Sequence, residues 1–120
     1  MKHEHLIIRI ETPQAIEDEQ IAIRWLRELI ELIDMNILIG PFARYVDKEG
    51  NRGLTVGAII ETSHIVLHTW DECTPHVMQL DVYSCSTVSP QQVMDFLHDT
   101  IEISKIEYKF LDRERGLIEI

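Results

Sequence analysis

Apolar and polar positions alternate with two different periods along the chain, and the periods predict its elements. Residues 3–10 end in the β-branched run LIIRI, which predicts a first strand. Thr12 and Pro13 then supply a helix-start signal. Within residues 14–34, apolar residues recur at helical spacing and predict an amphipathic helix. The stripe consists of Ala22, Leu26, Leu29 and Ile33.

The middle of the chain is rich in β-branched residues and predicts consecutive strands. Residues 36–47 predict a strand interrupted by Gly40 and Pro41. Residues 54–61, 64–70 and 77–84 have the composition of three further sequential strands. Short polar segments separate the runs, so we expect an antiparallel meander.

The last third of the chain predicts a helix and a final strand. Ser89, Pro90 and Gln92 match a capping box with proline at the first helical position, and the helix should run to about Ser104. The charged alternation of residues 105–114 predicts the closing strand. We expect the order β-α-β-β-β-α-β within a single domain, residues 1–120, which indicates an α+β fold with two helices on one face of an antiparallel sheet.

The two central strands define the faces of that sheet. A two-residue turn at Thr62 and Ser63 would place Ile59 opposite Val66, Gly57 opposite His68 and Thr55 opposite Trp70. Alternation then puts an aliphatic set on one face, where we expect the helices. We call the other side the open face. Its members are Thr55, Gly57, Ile59, Glu61, His64, Val66, His68 and Trp70 and, by parity on the next strand, Cys85.

Composition narrows the possible partners. The 120 residues carry a formal charge of −10, which disfavours binding to a nucleic-acid backbone. The chain lacks a long apolar segment and a secretory signal pattern, so we expect a cytoplasmic protein that binds no membrane. Its two cysteines, Cys73 and Cys85, are too few for a disulfide framework.

The open face carries groups that can perform chemistry. His68 can serve a nearby hydroxyl or thiol as an acid or base, and we expect its imidazole to reach the hydroxyl of Ser63. Strand residues exposed to solvent are the simpler interpretation of the same histidines. A metal site is a further hypothesis, prompted by His3, His5, His64, His68, His76 and Cys73. Those residues lack a four-ligand spacing, so we expect no metal.

The segment ETSHIVLHTWDE, residues 61–72, followed by YSC at 83–85, resembles the small prokaryotic S-adenosylmethionine decarboxylase proenzymes. The family pattern is Glu-Ser-His, a few apolar residues, His-Thr-Trp, Pro-Glu, then an aromatic residue, a small residue and Cys. The resemblance covers most of the chain, including DRERG near its end. It implies self-cleavage between Thr62 and Ser63, a pyruvoyl group formed from Ser63, and decarboxylation of S-adenosylmethionine for spermidine biosynthesis.

The resemblance also implies roles for individual residues. His68 and Thr55 would assist self-cleavage, Cys85 would protonate the substrate carbon, and Glu72 would hold the substrate ribose. The pyruvoyl carbonyl would form a Schiff base with the substrate amine and accept electrons during loss of carbon dioxide. Trp70, beside His68 on the open face, is a candidate pocket wall. The family is expected to form a homodimer, an αββα sandwich with sites built from both protomers.

Three positions depart from the family pattern and leave alternatives open. Thr62 replaces the usual Glu, Asp71 stands where Pro is common, and the Phe expected upstream of the glycine turn for stacking on adenine has no match near Glu49. Relatives that decarboxylate arginine or ornithine fit the same acidic composition. A non-processing module that binds a nucleoside or polyamine is the remaining alternative.

Overall fold

A computed structural model describes residues 1–61 and 63–120. Its elements are β1 Glu4–Thr12, α1 Glu19–Leu32, β2 Ile37–Val46, β3 Gly53–Ile60, β4 Ser63–Trp70, β5 His76–Ser84, α2 Pro90–Thr100, β6 Lys105–Asp112 and β7 Ile118–Glu119. The strands form one antiparallel sheet in the order β2-β3-β4-β5-β1-β6-β7. This confirms the predicted α+β class with an antiparallel sheet and two helices.

The sheet has more strands than the predicted order contained. Four strands lie between the helices, one for each of the four predicted runs, whereas the predicted order contained three, and β7 follows β6. The segment with Gly40 and Pro41 forms a complete strand because β2 absorbs the interruption as shifts in register between Ile37 and Phe42. Gly40 adopts φ +98°, a backbone conformation that favours glycine.

One face of the sheet is buried beneath the helices, as the alternation predicted. The core includes Leu6, Ile8, Leu54, Val56, Ile65, Leu67, Leu80 and Val82 from the strands and Leu26, Leu29, Val93 and Leu97 from the helices. Trp25 of α1 contacts Phe96 of α2 and donates a hydrogen bond from Nε1 to Thr100 Oγ1 at 2.8 Å. Neither helix in the described ranges is long and apolar enough to cross a membrane.

The first helix begins later than predicted. The backbone N–H of Ile21 donates to Asp18 Oδ1 at 2.9 Å, so Asp18 caps α1, which starts at Glu19. Thr12 uses its hydroxyl locally instead and accepts from the N–H of Gln14 at 3.2 Å. The signal at Thr12 and Pro13 therefore marks a turn and not a helix start.

The second helix begins where predicted and ends earlier. Ser89 Oγ accepts from the N–H of Gln92 at 3.2 Å, but the Gln92 side chain donates to Leu32 O at the end of α1 at 2.9 Å and does not complete a capping box. α2 ends at Thr100 because Ile101 takes extended backbone angles. Ser104, the predicted helix end, already donates its N–H to Glu11 O of β1 at 2.8 Å.

The predicted register of the central hairpin is wrong by two residues. Ser63 belongs to β4 and pairs with Ile60, so Ile59 faces His64, Gly57 faces Val66 and Thr55 faces His68. Ser63 joins β4 and β3 ends at Ile60, so the pair nearest the turn is Ile60 with Ser63 and not Glu61 with His64. A shift of two preserves the face of every side chain. The strand residues of the predicted open face therefore keep that face, whereas Glu61 and Cys85 lie beyond the ends of β3 and β5.

Candidate functional site

The start of β4 brings Ser63 and Cys85 together. The Ser63 side chain is buried, at 7% exposure, and its hydroxyl accepts a hydrogen bond from the backbone N–H of Cys85 at 3.1 Å. The same hydroxyl donates to the carbonyl of Glu61 at 3.2 Å, and Cys85 Sγ lies 3.7 Å from that carbonyl oxygen. We call Glu61, Ser63 and Cys85 the Ser63 end of the site. It places a hydroxyl and a thiol beside the predicted cleavage position.

The fold leaves space next to this hydroxyl. The start of β4, the end of β5 and the connection between α1 and β2 enclose a cavity of about 240 Å³. Its lining includes Asp34, Met35, Ser63, Ser84 and Cys85. Thr62, which the sequence places on the other side of the predicted scissile bond, lies outside the described residues.

The other half of β4 pairs His68 with Thr55. Because the register puts these residues opposite each other, Thr55 Oγ1 lies 2.9 Å from His68 Nδ1. The His68 ring lies 6.0 Å from the ring of Trp70, and Trp70 Nε1 donates to Asn51 Oδ1 at 3.2 Å. The hydroxyl, the imidazole and the indole therefore form one cluster on the open face.

Glu72 follows this cluster and is held by the turn between β2 and β3. The backbone N–H of Gly50 donates to Glu72 Oε2 at 2.9 Å, and Arg52 Nη1 donates to Oε1 at 2.9 Å. Trp70, Glu72, Arg52 and Arg9 line an open cavity of about 460 Å³. We call Thr55, His68, Trp70 and Glu72 the His68 end. It combines an aromatic wall with a carboxylate, which suits a ligand with an apolar ring and hydroxyl groups.

Two hydrogen bonds fix the loops around the His68 end, and each of them raises a pKa. The hydrogen bond from Arg52 to Asp47, at 2.7 Å, is the main reason why the pKa of Arg52 is raised, with Glu72 adding to it. The hydrogen bond from Tyr45 Oη to Asp71, at 2.7 Å, raises the pKa of Tyr45 to about 12. Asp71 lies between Trp70 and Glu72, so this bond anchors the segment that carries both.

The structure does not bring Ser63 and His68 of the chain together, contrary to our expectation. Ser63 is on the helix-covered face of β4 and His68 is exposed on the open face, because five residues separate them and strand side chains alternate. Five residues of strand span about 16 Å. The candidate residues thus fall into two half-sites, one on either side of Val66.

The remaining histidines of the metal hypothesis have other contacts. His64 Nε2 lies 3.1 Å from Asp81 Oδ2, and His5 approaches the other oxygen of the same carboxylate. His76 Nδ1 accepts from the N–H of Ala15 at 3.0 Å. Among residues 1–61 and 63–120, no group of three or more His, Cys, Asp or Glu side chains is arranged to hold a metal ion.

An apolar row crosses the middle of the open face between the two half-sites. Phe42, Gly57, Val66 and Ile7 occupy successive strands at the same level, with Asp81 between the last two. Phe42 is 55% exposed and Ile7 41%, and nearby Ile59 is 44% exposed. Exposed apolar side chains on one face of a sheet, as found here, are typical of a protein-binding surface.

Sequence reasoning missed Asn51, which contacts Trp70, and Arg52, which contacts Glu72. The segment DKEGNRG was interpreted only as a polar turn. In the observed register, Gly53 packs directly on the backbone of Thr69 and Trp70, and a Cβ at this position would overlap the Thr69 carbonyl. A glycine opposite the end of β4 was therefore the signal that this turn lies against Glu72.

Comparisons with known proteins indicate the family to which the chain is related. A protein-family model described as S-adenosylmethionine decarboxylase matches residues 5–114. An S-adenosylmethionine decarboxylase proenzyme from Pyrobaculum islandicum is 32% identical over 102 residues, covering 84% of this chain and 78% of the relative. A proenzyme of the same name from Clostridium botulinum is 26% identical over 95 residues, covering 78% of this chain and 77% of the relative.

Proposed function

The chain belongs to the S-adenosylmethionine decarboxylase family, and from this premise we propose that it cleaves itself before Ser63 and then decarboxylates S-adenosylmethionine. The product would be the aminopropyl donor for spermidine synthesis. The observation that carries the proposal is the contact of the Ser63 hydroxyl with the Cys85 backbone, within a family match that spans both half-sites. Ser63, Cys85, Thr55, His68 and Glu72 all fall inside the matched range.

Self-cleavage needs a nucleophile and a base. The Ser63 oxygen attacks the carbonyl carbon of Thr62, the peptide C–N bond breaks and the freed nitrogen takes a proton, which leaves an ester. Loss of the Ser63 Cα proton then breaks the Cβ–O bond and releases a carboxylate at Thr62. Hydrolysis of the remaining dehydroalanine releases ammonia and leaves a pyruvoyl group. In the structure, the Ser63 proton points to the Glu61 carbonyl, so a separate group must remove it.

A second copy of the chain supplies that group in our proposal. His68 of the same protomer is about 16 Å away along the strand, but the apolar row of the open face suits a homodimer in which two sheets face each other. A twofold axis near Val66 would set the Ser63 end of one protomer against the His68 end of its partner. Ser63 Oγ lies on the helix-covered side of β4, so it would have to turn towards the open face to meet that imidazole. Thr55, at 2.9 Å from His68 Nδ1, would orient the imidazole and fix its tautomer.

The residues around Ser63 fit a pyruvoyl group. The Cys85 N–H that now reaches Ser63 Oγ is a donor for a carbonyl oxygen, and the adjacent cavity provides room. The group would supply the carbonyl that takes up the substrate amine and withdraws electrons during decarboxylation. Cys85 Sγ would deliver a proton to the substrate carbon. Glu72 would accept hydrogen bonds from the ribose hydroxyls, and Trp70 would form the wall for the purine.

The intact mass of the purified protein tests this proposal. We expect two fragments that meet between residues 62 and 63, with the larger one carrying a pyruvoyl group, and release of carbon dioxide from S-adenosylmethionine. Ser63→Ala should remain one chain, whereas Ser104→Ala, at an exposed serine before β6, should be cleaved like the wild type. A wild-type protein that stays full length after prolonged incubation contradicts the proposal and favours a binding module. Cleavage with carbon dioxide release only from arginine or ornithine contradicts the substrate assignment.

A further inference from the structure

We infer that Arg52 is a positioning residue that sets the ligand-binding geometry of Glu72, and this inference rests on the proposed role of Glu72 in holding ribose hydroxyls. Arg52 connects two carboxylates with different nitrogens. Nη1 donates to Glu72 at 2.9 Å and Nε donates to Asp47 at 2.7 Å. The guanidinium is planar and rigid, so two such bonds define both its orientation and that of Glu72.

The backbone completes the arrangement. The Gly50 N–H lies 3.0 Å from Glu72 Oε1 and 2.9 Å from Oε2, while Arg52 adds a second donor to Oε1 alone. Each carboxylate oxygen offers about two lone-pair directions. Oε1 is therefore occupied by both donors, and Oε2 keeps more capacity for a ligand. A carboxylate held in this way presents a defined acceptor edge to the cavity.

Solvent exposure limits how much the ion pair between Arg52 and Glu72 contributes to stability. Glu72 is 33% and Arg52 42% exposed at the side chain, so solvent weakens the attraction between them without separating them. Asp47, at 78% exposure, draws the guanidinium from the other side. Arg52 consequently adds geometric control of Glu72 more than it adds stability. The expected consequence is a change in ligand affinity with little change in the fold.

The turn between β2 and β3 also contacts Trp70, the aromatic wall of the cavity. The contacts of this turn to the His68 end therefore involve more residues than Arg52. Asn51 accepts from Trp70 Nε1 at 3.2 Å, and Arg52 O accepts from the N–H of Asp71 at 3.1 Å. The backbone bond survives any substitution at Arg52. Replacing its side chain therefore removes the two carboxylate contacts and leaves the loop in place.

Binding of two nucleosides to the purified protein tests the inference. The probes are 5′-methylthioadenosine and its 2′,3′-dideoxy analogue, which lacks the ribose hydroxyls that Glu72 would bind. For the wild type we expect tighter binding of the nucleoside with hydroxyls. In Arg52→Gln we expect its Kd to rise about fivefold, as suits the loss of a partly exposed ion pair, while the Kd of the analogue changes less than twofold.

Two further variants make the result specific. Arg52→Lys should recover part of the lost affinity, since lysine keeps the charge but cannot reach both carboxylates with a fixed fork. Arg24→Gln, which removes an exposed arginine of α1, should bind both probes like the wild type. If the wild type prefers the nucleoside with hydroxyls and Arg52→Gln keeps that preference unchanged, the inference about Arg52 is overturned alone. If the wild type binds both probes equally, the proposed role of Glu72 is overturned as well.

Discussion

The two ends of the site on β4 are built by different means. At the Ser63 end, backbone groups hold the proposed nucleophile: the N–H of Cys85 and the carbonyl of Glu61 contact the Ser63 hydroxyl. At the His68 end, side chains hold one another through Thr55, Asn51 and Arg52. A nucleophile that must attack its own chain needs a fixed backbone, whereas a ligand-binding wall can be varied through its side chains. The departures from the family pattern at Glu49 and Asp71 both lie on the His68 side.

The largest expected effect separates cleavage from decarboxylation at the Ser63 end. In Cys85→Ser, we expect decarboxylation per cleaved chain to fall about 1000-fold, because general acid catalysis contributes on the order of 100- to 10,000-fold. Cleavage should persist, since serine retains the backbone N–H that contacts Ser63. Carbon dioxide release and intact mass measure the two steps.

The other cysteine provides a control for this change. Cys73→Ser is a conservative change of an exposed thiol that lines the cavity beside Glu72, away from Ser63, and its decarboxylation rate should stay within about threefold of the wild type. Equal losses in the two cysteine variants would contradict the role given to Cys85.

The next prediction concerns the surface between the two ends. Ile59→Asp places a charge on the open face beside the apolar row, where the proposed dimer would bury it. An unpaired buried charge should raise the dimer dissociation constant about 100-fold or more. Analytical ultracentrifugation measures the dissociation, and self-cleavage should slow as monomers accumulate.

Ile21→Asp in α1 is the matched control for the charge introduced by Ile59→Asp. Ile21 of α1 is 50% exposed and lies on the opposite side of the molecule from the open face, so Ile21→Asp should keep the wild-type assembly state and cleavage rate. An unchanged assembly in Ile59→Asp would show that the open face is not the dimer surface.

The smallest expected effect concerns the anchor of the His68 end. Asp71→Asn weakens the hydrogen bond that the Tyr45 phenol donates and removes the charge beside it, so the pKa of Tyr45 should fall from about 12 towards its usual value of 10. Because folding raises this pKa, its contribution to stability is complete below pH 10 and disappears as the pH rises through 12. Phenolate absorbance follows the titration, and Tyr45→Phe should remove that step from the spectrum. A step unaffected by Asp71→Asn would contradict the assigned cause.

The sequence predicted the faces of the sheet better than the pairing of its strands. Alternation alone assigns His68 and Trp70 to the open face, and a two-residue shift leaves that assignment intact. The register itself depends on the turn, and neither Thr62 nor Ser63 is a residue that selects a tight hairpin. The true pairing of Thr55 with His68 therefore had to come from the structure.

The other differences between prediction and structure arise from competing local signals and from long-range contacts. Thr12 and Asp18 are both residues that cap helices, and only the hydrogen bond from Ile21 to Asp18 shows which one begins α1. Arg52 was missed because its importance arises from a contact across 20 positions of sequence, to Glu72. The motif gives only the spacing of five residues between Ser63 and His68. It does not predict that their side chains lie far apart on opposite faces of β4.

Mixed dimers test the central claim, that Ser63 of one protomer is served by His68 of the other. We would co-express Ser63→Ala and His68→Ala chains with two different affinity tags, isolate the mixed dimers and measure the mass of each chain. The account predicts little cleavage of either variant expressed alone and cleavage of the His68→Ala chain in the mixed dimer, where its Ser63 meets an intact imidazole. Purified mixed dimers whose His68→Ala chain stays whole would contradict it.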